Sequence, residues 1–177
     1  AMQEVLLQDA RNRGLDKEET FRLSMQQYYE QSLVKMLMDR RRKELKSEAN
    51  PAEIDRYARF VNRKVLLTEF KINSPEERTS PALASGRVVT ERFDWLPDNV
   101  RYAIFSLDPG QLTPALHQDG KEIVYRLDGI IMEPEGSKAV DRDAIQSFIS
   151  GYKTTAAVQK WMADLKKASR IEIHLKD

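Results

Sequence analysis

Lys17 to about Ser47 reads as one long helix, and that reading limits the fold more than any other feature of the sequence. Phe21, Met25, Tyr28, Tyr29, Ser32, Leu33, Met36 and Leu37 recur at steps of three and four, with Leu23, Val34 and Met38 widening the stripe. At about 1.5 Å per residue the helix would span roughly 45 Å. A globule of ordinary thickness does not cover such a length. The helix must pack against other long helices or arch over a cavity.

The flanking segments supply such helices. Residues 3–13 carry Val5, Leu6 and Ala10 at helical spacing. Gly14 then stands where a helix C-terminal glycine belongs, and Asp16 with Glu19 resembles a capping box for the next helix. Asp141 to Ala168 is a second long helix, with Ile145, Phe148, Ile149, Tyr152, Trp161 and Leu165 on its apolar face. Asn50-Pro51-Ala52-Glu53 restarts a helix, with Asn at the N-cap, Pro at the first helical position and Glu at the third. That helix is expected to end near Phe60 or Val61.

Between the helices the period changes. Val65–Ile72 and Arg87–Trp95 read as extended, separated by a loop from Asn73 to Gly86. Leu96–Leu107 returns to helical spacing, and Asp108-Pro109-Gly110 signals a tight turn. Leu112–His117 and Glu122–Met132 flank Gln118-Asp119-Gly120 and read as a β-hairpin. Ile171, Ile173 and Leu175 alternate with polar residues and read as a short final strand. The fold class is therefore α+β. The simplest division is a helical module from residues 1–61 plus 139–177, with a small α+β unit inserted at 62–138.

Composition narrows the function classes. The chain has 177 residues, 32% charged and 41% hydrophobic, with a net charge of +1. Nothing pulls it as a whole toward nucleic acid or an anionic membrane. There is no cysteine, so neither a disulfide framework nor a thiolate metal site is available. His117 and His174 lack a spaced ligand partner, and no metal or other cofactor is expected. No apolar run is long enough to be a transmembrane segment. Residues 1–7 read as the middle of a helix, so a leader and a first strand are expected to precede them in the parent protein. No nucleotide-binding glycine loop or nucleophile elbow occurs. The basic run Arg40–Lys43 is diluted by Asp39, Glu44 and Glu48, and reads as a solvated helix face.

Several segments, in order, resemble the SurA/PpiC-type family of extracytoplasmic chaperones and parvulin isomerases. Leu6-Leu7-Gln8-Asp9-Ala10 through Arg13-Gly14-Leu15-Asp16 resembles that family's N-terminal helix and turn, and Asn50–Ile54 the start of the helix leading into its parvulin domain. Leu96-Pro97 and Phe105 to Pro114 resemble a parvulin helix and glycine turn, Gly120–Leu127 a parvulin strand, and Trp161–Ile173 the closing tail. The resemblance implies a SurA-like helical chaperone module carrying a parvulin-like unit.

The departures from the family pattern point away from catalysis. The loop at 73–85 stands where a parvulin has several helices, so the unit looks shortened. Glu69 and Glu122 align with the two histidines of active parvulins. Leu96, Val100 and Phe105 align with the proline pocket, which loses its aromatic wall at Val100. An X-Pro bond must cross a barrier of about 18–20 kcal/mol, and two carboxylates beside the carbonyl do not help. The two glutamates read as solvent-facing strand residues rather than a paired-carboxylate site, and no catalytic residue is assigned.

The resemblance then implies an ATP-independent periplasmic chaperone or assembly factor that binds unfolded exported polypeptides. Met25, Tyr28, Tyr29 and Met36 are the client-binding candidates, because methionine and tyrosine accept varied apolar partners. For any one of them, packing against the first and last helices is the ordinary expectation. A homodimer is compatible with so broad a stripe. Two other readings stay open: a peptidyl-prolyl isomerase that works without the histidines, and a dedicated escort for a single partner.

Overall fold

The computed structural model describes residues 2–74, 77, 86–131 and 139–169. The elements in chain order are α1 (Met2–Asn12), a 3-10 turn (Leu15–Lys17), α2 (Glu19–Glu44), α3 (Pro51–Ala58), β1 (Lys64–Ile72), β2 (Arg87–Arg92), a 3-10 turn (Phe93–Trp95), α4 (Asp98–Ile104), β3 (Leu116–Gln118), β4 (Lys121–Ile131) and α5 (Arg142–Ala168). The α+β class is as expected. The loop 73–86 lies mostly, and the proposed strand Ile171–Leu175 with His174 wholly, outside the described residues.

The chain forms two units. One comprises residues 1–46 and 157–177, the other Ser47–Ala156. This division differs from the one expected at residues 61 and 139. Ile54, Tyr57 and Phe60 at α3, and Ile145 and Ile149 from α5, are buried in one cluster with Val65 and Leu67 of β1 and Tyr125 and Leu127 of β4. Helical periodicity marked α3 and α5 as helices. It could not say that the sheet is what α3 and the first part of α5 cover.

The second unit is built on an antiparallel sheet of order β2-β1-β4-β3. One face is covered by α3, α4 and the first part of α5. Phe93 and Val100 are fully buried there, with Tyr57 edge-on to Phe93 at 5.0 Å. The β3–β4 hairpin turns through Asp119 and Gly120, both at positive φ (48° and 76°), as a two-residue primed turn requires. Gly86 is needed for a different reason. A Cβ there would lie 2.5 Å from Thr68 Cγ2 and 2.7 Å from Phe70 Cε1.

At Asp128 the β1–β4 register slips by one residue, since Leu66 pairs with Gly129 but Leu67 with Leu127. The bulge aims the Asp128 carboxylate at Thr68 and Arg126. Thr68 Oγ1 and Arg126 Nε each donate to it at 2.6 Å. α3 starts as its sequence predicts. Asn50 Oδ1 accepts from Glu53 N at 2.8 Å, and Glu53 Oε2 accepts from Asn50 N at 2.9 Å. Asp16 plays no such part. It lies in the 3-10 turn, and α2 begins after Glu18 without a side-chain cap.

In the first unit, α2 runs for 26 residues, close to 39 Å at about 1.5 Å per residue. Neither α1 nor α2 contains a buried residue. Towards its end Arg41 lies over the Trp161 ring, 4.9 Å from the centroid, and Met38 and Leu45 are half-buried.

Candidate functional site

α2 presents its apolar side chains to solvent. Met25 is 48% exposed, Tyr28 68%, Tyr29 65% and Met36 63%. The ordinary expectation for each of these, burial against neighbouring helices, is not met. Met25, Tyr29, Ser32 and Met36 follow at steps of four, three and four, so they fall on one face, with Tyr28 beside it. Leu23 and Val34, eleven residues apart, share the opposite face at roughly 100° per residue, and are also exposed. The apolar surface of α2 therefore wraps the helix instead of forming one core-facing stripe.

The two glutamates aligned with parvulin histidines are not a pair. Glu69 stands opposite Tyr125, while Glu122 stands opposite Ile72. Successive strand residues alternate faces, so the two carboxylates lie on opposite faces of the sheet. Two groups that act on one bond must share a face. Nor is Glu69 solvent-facing: it is buried, and it accepts from Nη2 of Arg87, its cross-strand partner on β2, at 2.9 Å. That hydrogen bond and the charge of Glu69 raise the pKa of the Arg87 guanidinium. Burial, and then the charge of Glu69, raise the neighbouring Tyr125 phenol, which donates to Gln118 at 2.8 Å. Glu122 is half-buried, with Oε1 3.7 Å from Nδ1 of His117.

The aligned pocket residues belong to the packed core. Val100 is fully buried, Phe105 is 3% exposed, and Leu96 packs against the same cluster. Among the described residues no group of histidines and carboxylates is placed to hold a metal ion.

A second locus had no signal in the sequence. A cleft of about 510 Å³ opens in the second unit between α3 and the end of α4, with Arg56, Arg59, Tyr102 and Phe105 among its walls. Its lining comes from segments some fifty residues apart, joined only by the fold. The i, i+3 spacing of Arg56 and Arg59 was readable, but it looked like any charged helix surface.

No protein-family model and no curated protein matches this sequence. Distant likenesses exist among solved structures. A SurA-like chaperone of Campylobacter jejuni is similar over 97% of this chain and 82% of its own, at 13% identity and a TM-score of 0.45. The foldase PrsA of Streptococcus pneumoniae is similar over 98% and 76%, at 10% identity and a TM-score of 0.30. The peptidylprolyl isomerase PrsA of Bacillus cereus is similar over 99% and 78%, at 14% and 0.31. Such values are too low to carry a function from those proteins to this one.

Proposed function

We propose that this protein is an ATP-independent extracytoplasmic chaperone or assembly factor that holds unfolded exported polypeptides on α2 and has no prolyl isomerase activity. The observation that carries the reading is a 26-residue helix with no buried residue and with Met25, Tyr28, Tyr29 and Met36 open to solvent. Covering one such side chain is worth about 1.5–3 kcal/mol at most. A client that touches several in turn is held by many weak contacts, without a fixed sequence requirement. Methionine adapts to varied partners, and tyrosine offers a broad face at low entropy cost. The same surface is able to pair two copies of the chain, in which case client and second copy compete for it.

The absence of isomerase activity is supported by the sheet. Glu69 is engaged by Arg87, Glu122 lies on the other face, and Val100 and Phe105 are spent on the core. The extracytoplasmic setting is supported by the sequence resemblance.

The test is a titration against a denatured outer-membrane protein diluted into buffer without nucleotide, followed by light scattering. Suppression near stoichiometric amounts is expected, together with no acceleration of a proline-limited peptide. Unchanged scattering would overturn the chaperone reading and leave the single-partner escort.

A further inference from the structure

The cleft beside α3 has the chemistry of a ligand site. Its volume of about 510 Å³ sits inside the range of roughly 300–1,000 Å³ usual for such sites. One wall is an aromatic platform. Tyr102 stacks on Tyr152 at 4.0 Å between ring centroids and 16° between planes, and stands edge-on to Phe105 at 5.3 Å. Held from two sides, the ring loses little freedom when something packs on it.

The charges around the cleft are unevenly committed. Glu53 receives Lys153 Nζ at 2.9 and 3.0 Å and the Asn50 amide at 2.9 Å. Arg56 spends one guanidinium N–H on Asp108 Oδ1 at 2.6 Å, and that aspartate side chain is 72% exposed. Arg59, three residues on at the C-terminal end of α3, has no side-chain partner among the described residues. The uncommitted charge at this cleft is therefore positive, and it has the forked geometry that matches a carboxylate.

We infer that this cleft binds an extended peptide presenting a carboxylate beside an aromatic side chain, with Arg59 and the free edge of Arg56 taking the carboxylate and Tyr102, backed by Phe105, taking the ring. Asp108 and Glu53 at the same cleft repel a di- or trianion, which selects a single carboxylate over a phosphate. The carboxylate can come from a chain terminus or from an acidic side chain. The site is built wholly from residues of the second unit and does not depend on the role proposed for α2.

The test is an NMR titration of the isotope-labelled full chain with three peptides: acetyl-Gly-Ser-Gly-Phe as the free acid, the same peptide as the carboxamide, and acetyl-Gly-Phe-Glu-Gly carboxamide. Saturable shifts at the Tyr102 amide are expected with at least one acid-bearing peptide, and which one responds identifies the source. The neutral carboxamide should bind about tenfold more weakly, the value of one charge-assisted hydrogen-bonded pair. Arg59→Ala should cause a similar loss for the acid and none for the amide. Its exposed side chain supports nothing else, and an unchanged circular dichroism spectrum would verify folding. An α2 variant, Tyr28→Ser/Tyr29→Ser/Met36→Ser, should leave the titration unaltered, so this site and the chaperone surface stand or fall separately. Equal binding of acid and amide, no effect of Arg59→Ala, loss of binding in the α2 variant, or equally tight binding of inorganic phosphate would each overturn the proposal.

Discussion

Tyr57 and Tyr29 both lie on helices, yet one is 4% exposed and the other 65%. Tyr57 is enclosed by Phe93, Phe105 and Phe148, with ring centroids 5.0–5.4 Å away, and by the aliphatic face of β1 and β4. Tyr29 lies on a helix without a buried residue. Similar letters thus do opposite jobs in the two units. In the second, apolar residues are consumed by folding. In the first, most of those on α2 are left exposed to solvent. An exposed apolar helix costs solubility, and α2 offsets this by interleaving Lys35, Asp39 and Arg40–Lys43.

The contrast can be broken most forcefully in the second unit. Phe93→Ala should cost about 3–5 kcal/mol, because a fully buried ring touching Tyr57 and Phe60 leaves a cavity; urea unfolding followed by circular dichroism measures the loss. Alkaline pH attacks the same core. Burial pushes the Tyr57 phenol up to about 12, above the ordinary tyrosine value of about 10. The neutral form is therefore the one favoured in the folded state. Its contribution, on the order of 2 kcal/mol, is complete below about pH 10 and is lost as pH climbs from there towards about 12. Loss of ellipticity should set in within that window, and Tyr57→Phe should move its onset to higher pH.

Smaller effects sharpen the comparison. Asn50→Ala removes half of the capping box of α3 and should lower stability by about 1 kcal/mol, read as a shift in the urea midpoint. Tyr28→Ser/Tyr29→Ser/Met36→Ser should leave the second unit's stability within about 0.5 kcal/mol, while raising the amount of protein needed to suppress client aggregation. A large loss of stability in that variant would mean that α2 is part of a folded core.

Much of the fold was legible because local rules and tertiary packing agree. The capping box at Asn50, the Asp119-Gly120 turn and the strands at 64–72 and 121–131 stand where the sequence puts them, while the run read as extended over 87–95 ends in a 3-10 turn at Phe93–Trp95 and the strand read over 112–117 is reduced to Leu116–Gln118. Asp16 misled because a 3-10 turn holds Leu15–Lys17, so α2 starts two residues beyond the capping-box site. The domain boundary was invisible, because amphipathicity says that α3 and α5 bury a face without saying against what. The faces of Glu69 and Glu122 follow from cross-strand register, which strand-by-strand alignment does not contain. The stripe on α2 was visible, but its exposure was not, since exposed and buried stripes share one periodicity. The cleft at Arg59 was hidden altogether, as its walls meet only in three dimensions.

The most direct measurement places one photo-crosslinking phenylalanine analogue at Tyr29 and, separately, at Trp95. Trp95 is an equally accessible aromatic in the second unit, 72% exposed. With an unfolded outer-membrane protein as client, the account predicts covalent adducts from position 29 and few or none from position 95. Equal adducts from both positions, or adducts from Trp95 alone, would contradict the claim that α2 is the surface that holds the client.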